Sequence, residues 1–225
     1  MIPIISRYSS LLPLILFLAF SLRKSTVALK VIFFYCIFSL GTDFTTSIFP
    51  ANSVAIRELQ SLFTIIEYTF VISFLFLIAK NATIKKIIVG VSVLYFIYWL
   101  IYFIQNFIKS QNTSFDAVPA SIESILITIF CLLFLFEQIS NTQDYFLYLS
   151  PNFWIVLAFF IYMSGTLFLF IVSTSISVNE KNQYWIINNI CNIITNILVS
   201  IAFVINGINT KKSNIKNSSI DSYQG

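Results

Sequence analysis

Long apolar runs alternate along the chain with short charged or turn-forming breaks. Seven runs are long enough to form helices: about 9–22, 27–49, 59–79, 87–108, 117–139, 153–176 and 185–205. A bilayer core about 30 Å thick takes roughly 20 apolar residues per helical crossing, so the pattern predicts an all-α polytopic membrane bundle of seven transmembrane helices spanning residues 1–208. The first run is the weakest. It is short after Arg7 and carries Pro13, but no small-residue cleavage site precedes Arg23 and Lys24, so it reads as a span and not as a leader. Ile2 to Ile5 lengthen it if Arg7 snorkels or the bilayer thins. Prolines fall where a missing amide proton costs little: Pro50 closes the second run, Pro119 lies in the first turn of the fifth and Pro151 opens the sixth. From Asn209 to Gly225 the chain is polar and basic with little to bury, and a disordered tail is expected there.

Polar positions inside these runs are not scattered. In the seventh, Trp185, Asn188, Asn189, Asn192, Thr195 and Asn196 recur at helical spacing and share one face, with Ile, Val and Leu opposite. An amide facing lipid would leave donors and acceptors unpaired, so this stripe must look inward. On the stripe alone, helix glue and a functional lining are both open readings.

Carboxylates tilt the balance toward a lining. Asp43 stands near the end of the second run with Ser39, Thr46 and Ser47 around it. Glu67 is near the middle of the third with Gln60 and Thr64 on its side, and Glu123 lies one to two turns inside the fifth. No Lys or Arg lies deep in any run to neutralise them; they are protonated, see water, or await a cation. Asp43, Glu67, Glu123, Asn188, Asn189 and Asn192 are therefore the expected ligand pocket, with Tyr68, Tyr95 and Trp99 as its walls. For Trp185 and Tyr102 the interfacial belt is the favoured reading. Ser164 and Gly165 in "YMSGT" permit a close helix approach.

Composition agrees with the pattern. The 225 residues are 58% hydrophobic and 10% charged, and the mean hydropathy is +0.88, which leaves no room for a soluble catalytic domain. Abundant Phe, Ile, Asn, Lys and Tyr fit an AT-rich coding bias, which alone would scatter asparagines evenly. Nine of the 13 basic residues fall on one side of the alternating runs: Arg23, Lys24, Lys30, Lys80, Lys85, Lys86, Lys211, Lys212 and Lys216. Arg7, Arg57, Lys109 and Lys181 fall on the other. Positive residues favour the cytoplasm, so the N-terminus is expected outside, the C-terminus inside, and the carboxylates in the outer half of the membrane. The net charge of +4 then follows from topology, and no nucleic acid is expected as a partner.

Histidine is absent, which removes the commonest base and metal ligand. Cys36, Cys131 and Cys191 lie in three different runs without a CxxC pair and read as packing residues. No metal, cofactor or catalytic constellation is expected. No lysine lies between Lys181 and Lys211 to carry retinal. Zinc-dependent membrane hydrolases and rhomboid proteases both need histidine, and the signature motifs of animal G-protein-coupled receptors and PQ-loop transporters are missing. No internal repeat argues for an inverted-repeat transporter.

The block "FEQISNTQDYFLYLSPNFWIVLAFFIYMSGTLFLFI", Phe136 to Ile171, has an acidic helix end, a spacer, a Pro-x-Phe-Trp opening and a Tyr-x-Ser-Gly step. In these features it resembles a family of small seven-span integral membrane proteins of Bacteroidota; the rest of the chain matches mainly in layout. The resemblance carries no activity with it. It implies a bacterial inner-membrane protein working beside signalling proteins such as histidine kinases.

The expected function is that of a receptor- or sensor-like membrane protein. Its polar cavity opens outward, its fifth and sixth helices respond to a ligand, and a membrane or cytoplasmic partner reads the segment Ser140 to Asn152. Rival readings are a small-solute, ion or proton transporter using the same acids and amides, and an accessory subunit in which the stripe is glue.

Overall fold

The computed structural model describes residues 2–22, 25–48, 54–109, 117–140, 147–172 and 178–221. These are helical almost throughout, with no strand among the described residues. In a bilayer every backbone amide and carbonyl must find a partner within the protein, and a helix supplies all of them locally. Among the described residues, seven stretches are long and apolar enough to cross a membrane: Ile2–Ser21, Val27–Thr45, Glu58–Ile78, Ala82–Gln105, Ala117–Ser140, Pro151–Ile171 and Trp185–Lys211.

The first span starts at Ile2, seven residues before the run read from the sequence. It is built from α1 (Ile2–Ser9), α2 (Leu11–Leu16) and a π-helical turn, Phe17–Ser21. The break at Ser10 has a local cause. Pro13 cannot donate to the carbonyl four residues back, and its ring crowds that carbonyl. Pro13 is nevertheless buried, as is the Ser10 side chain. The π turn brings Phe17 into the core, stacked on Phe33 at a centroid distance of 4.1 Å and edge-on to Phe203 at 4.9 Å.

The other helices are α3 (Val27–Ile48), α4 (Val54–Ile78), α5 (Ala82–Lys109), α6 (Ala117–Ser140), α7 (Pro151–Val172) and α8 (Val178–Asp221). Thr26 accepts from the Leu29 amide at 3.4 Å ahead of α3, and Asn81 Oδ1 accepts from the Thr83 amide at 2.8 Å ahead of α5. Pro151 opens α7, where its missing N–H costs nothing. The sixth run ends at Val172 as helix, and its last expected residues fall outside the described ones. So does much of the Ser140–Asn152 segment; Leu147–Leu149 form a short 3-10 turn whose Tyr148 carbonyl accepts from Trp154 Nε1 at 2.8 Å.

Past Asn209, where the sequence leads one to expect a tail, α8 continues as helix to Asp221. Extending an existing helix requires no new nucleus, so polar residues following an anchored apolar span can continue it.

Neighbour contacts arrange six of these units in a closed ring. The N-terminal helix touches α8, α8 touches α7, α7 touches α6, α6 touches α4, α4 touches α3, and α3 returns to the N-terminal helix. Helix α5 stands outside the ring against α4 and α6. Gly165 lets α7 and α8 approach closely: a β-carbon there would lie 2.6 Å from Cys191 Sγ. One end of the ring is packed with apolar side chains, among them Ile32, Phe74, Phe130, Ile155, Phe159 and Phe203, all buried. The other end, where the N-terminus and the start of α8 lie, holds the polar site.

Candidate functional site

A cavity of about 580 Å³ occupies that end, and every helix of the ring contributes to its wall. Asp43 comes from α3, Glu67 from α4, Glu123 from α6, and Asn188, Asn189 and Asn192 from α8. The six residues that the sequence groups as a pocket thus line one space. Their convergence follows from alternating helix directions: the end of α3 and the beginnings of α4, α6 and α8 lie at the same level.

The expected walls are elsewhere. Tyr68, Tyr95 and Trp99 are buried but do not line the cavity. Tyr68 is one position from Glu67, a rotation of roughly 100° on a helix, so it faces α5. There its hydroxyl meets Ser92 Oγ at 2.9 Å, and its ring lies 4.4 Å from that of Tyr95. Tyr95 donates to the Pro119 carbonyl at 3.3 Å and Trp99 stacks on Phe103 at 5.1 Å. Tyr68 and Tyr95 fasten α5 to α4 and α6 on the outside of the ring, while Trp99 stacks on a ring of its own helix. The rings that do line the cavity are Tyr35, Phe63, Tyr162, Phe170 and Trp185, so Trp185 belongs to the site and not only to an interfacial belt.

Within the cavity Glu67 is 6% exposed, and its Oε1 accepts from the Tyr35 hydroxyl at 2.7 Å. Tyr35 in turn packs edge-on against Phe159 at 5.3 Å, which makes this pair the floor between polar and apolar ends. Asp43 Oδ2 accepts from Ser10 Oγ at 3.0 Å. Glu123 is 3% exposed, and its Oε1 is buried without a hydrogen-bond donor among the described residues. Glu67 and Glu123 border the same cavity from α4 and α6.

The amides divide their work. Asn189 donates to the Trp185 carbonyl at 3.0 Å on its own helix. Asn192 donates to Ser6 Oγ at 3.1 Å and also lines the cavity. Asn196 donates to Ser9 Oγ at 2.9 Å and to Asn192 Oδ1 at 3.3 Å, behind the lining. Further along the helix, Thr195 bonds the Cys191 and Ala158 carbonyls and Ser200 bonds the Asn196 carbonyl, so these hydroxyls are satisfied against backbone.

Arg7, Ser6 and Pro3 also border the cavity. Sequence reasoning places Arg7 at a span boundary, because a lone charge before an apolar run normally marks one. Its inclusion follows from α1 extending the first helix past it. Tyr35 and Tyr162 carry no signal that separates them from the chain's many other aromatic residues. Cys36, Cys131 and Cys191 are free and buried. Among the described residues, no three His, Cys, Asp or Glu side chains are grouped to hold a metal ion.

Comparison of the chain with family models, curated proteins and solved structures returns no match.

Proposed function

We propose that this protein is a receptor- or sensor-like protein of the bacterial inner membrane. It has its N-terminus outside and its C-terminus in the cytoplasm, and it binds a small ligand in the cavity and signals through a partner. One observation carries the reading: six polar side chains from four helices meet in a single cavity of molecular size, backed by an apolar core. Pockets that hold small molecules fall between about 300 and 1,000 Å³ and combine apolar walls with a few convergent polar groups. Polar residues at this depth cost free energy unless they serve helix assembly or a ligand. A vestibule closed at its inner end fits detection better than passage. A ligand touching α6, α7 and α8 together can change how those helices sit against one another.

The test is gentle affinity purification from the native membrane at native expression, with quantitative mass spectrometry. A stoichiometric signalling partner is the expected result. A solitary protein, combined with a proteoliposome flux that depends on Glu67, would overturn the proposal in favour of transport.

A further inference from the structure

Deepening the receptor reading, on which it rests, we infer that the cavity takes a small organic cation: a protonated amine whose N–H groups are held by Glu123 and Glu67, with its carbon body against the aromatic wall. The first reason is an unmet acceptor. Glu67 Oε1 has the Tyr35 hydroxyl and Asp43 Oδ2 has Ser10, but Glu123 Oε1 has no donor among the described residues although the residue is 3% exposed. Buried acceptors are nearly always satisfied, and leaving a charged one unmet is costly. What Glu123 lacks is a donor arriving from the cavity it lines.

The balance of charge sets the sign of the occupant. Three carboxyl groups border the space, and Arg7 is the single cation among its described lining residues. An anionic ligand would meet more repulsion than attraction. Size and geometry then separate an organic cation from a metal ion. The cavity of about 580 Å³ is far larger than an ion, and among the described residues the carboxylates are not grouped as a metal site. The rings of Tyr35, Phe63, Tyr162, Phe170 and Trp185 border the same space, and their faces attract ammonium groups and their alkyl substituents.

The experiment uses the full chain in lipid nanodiscs and follows thermal unfolding and calorimetric binding of three amines: 2-phenylethylamine, tryptamine and cyclohexylamine. Each is paired with the neutral alcohol of the same skeleton, and 3-phenylpropionate serves as an anionic control. At least one amine is expected to bind saturably, with its alcohol and the carboxylate at least tenfold weaker. Glu123→Gln, isosteric and uncharged, is expected to weaken that amine at least tenfold while the protein stays monodisperse, and Glu67→Gln to weaken it by a comparable factor. The amine-to-alcohol ratio on the unmodified protein stands even where a variant fails to fold. Saturable binding by none of the amines overturns the inference, as does an amine affinity unchanged in folded Glu123→Gln. Alcohol binding that needs Asn192 but not Glu123 also overturns it, yet leaves the receptor reading in place. Partner recovery from native membrane tests that reading separately.

Discussion

Two stretches of α8 carry the same residue type to different ends. From Trp185 to Asn192 the amides border the cavity; from Asn192 to Gly207 they hold the N-terminal helix. The helix is continuous, so its own conformation does not distinguish them. The neighbour does. Ser6, Ser9 and Ser10 recur at helical spacing and present hydroxyls to Asn192 and Asn196, while Ser21 accepts from Asn206 at 2.8 Å and donates to the Phe203 carbonyl at 3.1 Å. Near Asn188 and Asn189 the facing surface recedes into the cavity. An amide in a membrane helix is glue where a partner helix offers hydroxyls and lining where it offers space. Asn192 stands at the boundary and does both.

Substitutions can break this contrast, beginning with the least yielding contact. A β-carbon at Gly207 would lie 2.6 Å from the Phe20 carbonyl oxygen, a backbone atom that cannot swing aside. Gly207→Val is therefore expected to force the N-terminal helix off α8 and to destabilise by at least about 1–3 kcal/mol, the range for overpacking, read as a lowered unfolding temperature in detergent. Asn196→Leu removes the bonds to Ser9 and Asn192 and strands their partners. Interhelical bonds in membranes are worth about 0.6–1.7 kcal/mol each, so the same melt should fall by a smaller amount. If Asn196→Leu melted like the unmodified protein, the glue assignment would be wrong.

Gly165→Ala faces a softer neighbour, the Sγ of Cys191, which lies 2.6 Å from the new carbon and can rotate. The expected loss is about 1 kcal/mol or less, and Cys191→Ala in the same chain should restore it. Smallest in stability is Asn188→Leu, because that side chain borders the cavity. Its melt should stay within about 0.5 kcal/mol of the unmodified protein, while ligand response falls. A large stability loss with intact response would move Asn188 to the glue class and shrink the pocket.

How much of this was readable in advance varies by residue. Asp43, Glu67, Glu123 and the α8 amides were legible because each is a polar group at a depth where lipid exposure is expensive, so each had to face inward whatever the neighbours were. Glu67 and Tyr68 show the limit of that logic. Both are buried and polar, but one faces the cavity and the other α5, and the sequence carries no mark of which side of α4 looks into the ring. Arg7 is a related case: a charge at a span's edge is normally solvated, and the lengthening of the first helix back to Ile2, which the sequence leaves open, places it at the site.

Seven apolar helices and the faces that carry polar groups follow from the sequence, because hydrophobic length and the 3.6-residue period are local properties of the chain. Tertiary structure alone decided the order of the helices around the ring. That order put α5 and its tyrosines outside, turned Arg7 and Tyr35 into the site, and divided the asparagines between cavity and seam. Contacts between helices distant in sequence leave no periodic trace in either one. The environment of a side chain is fixed only when its neighbour arrives.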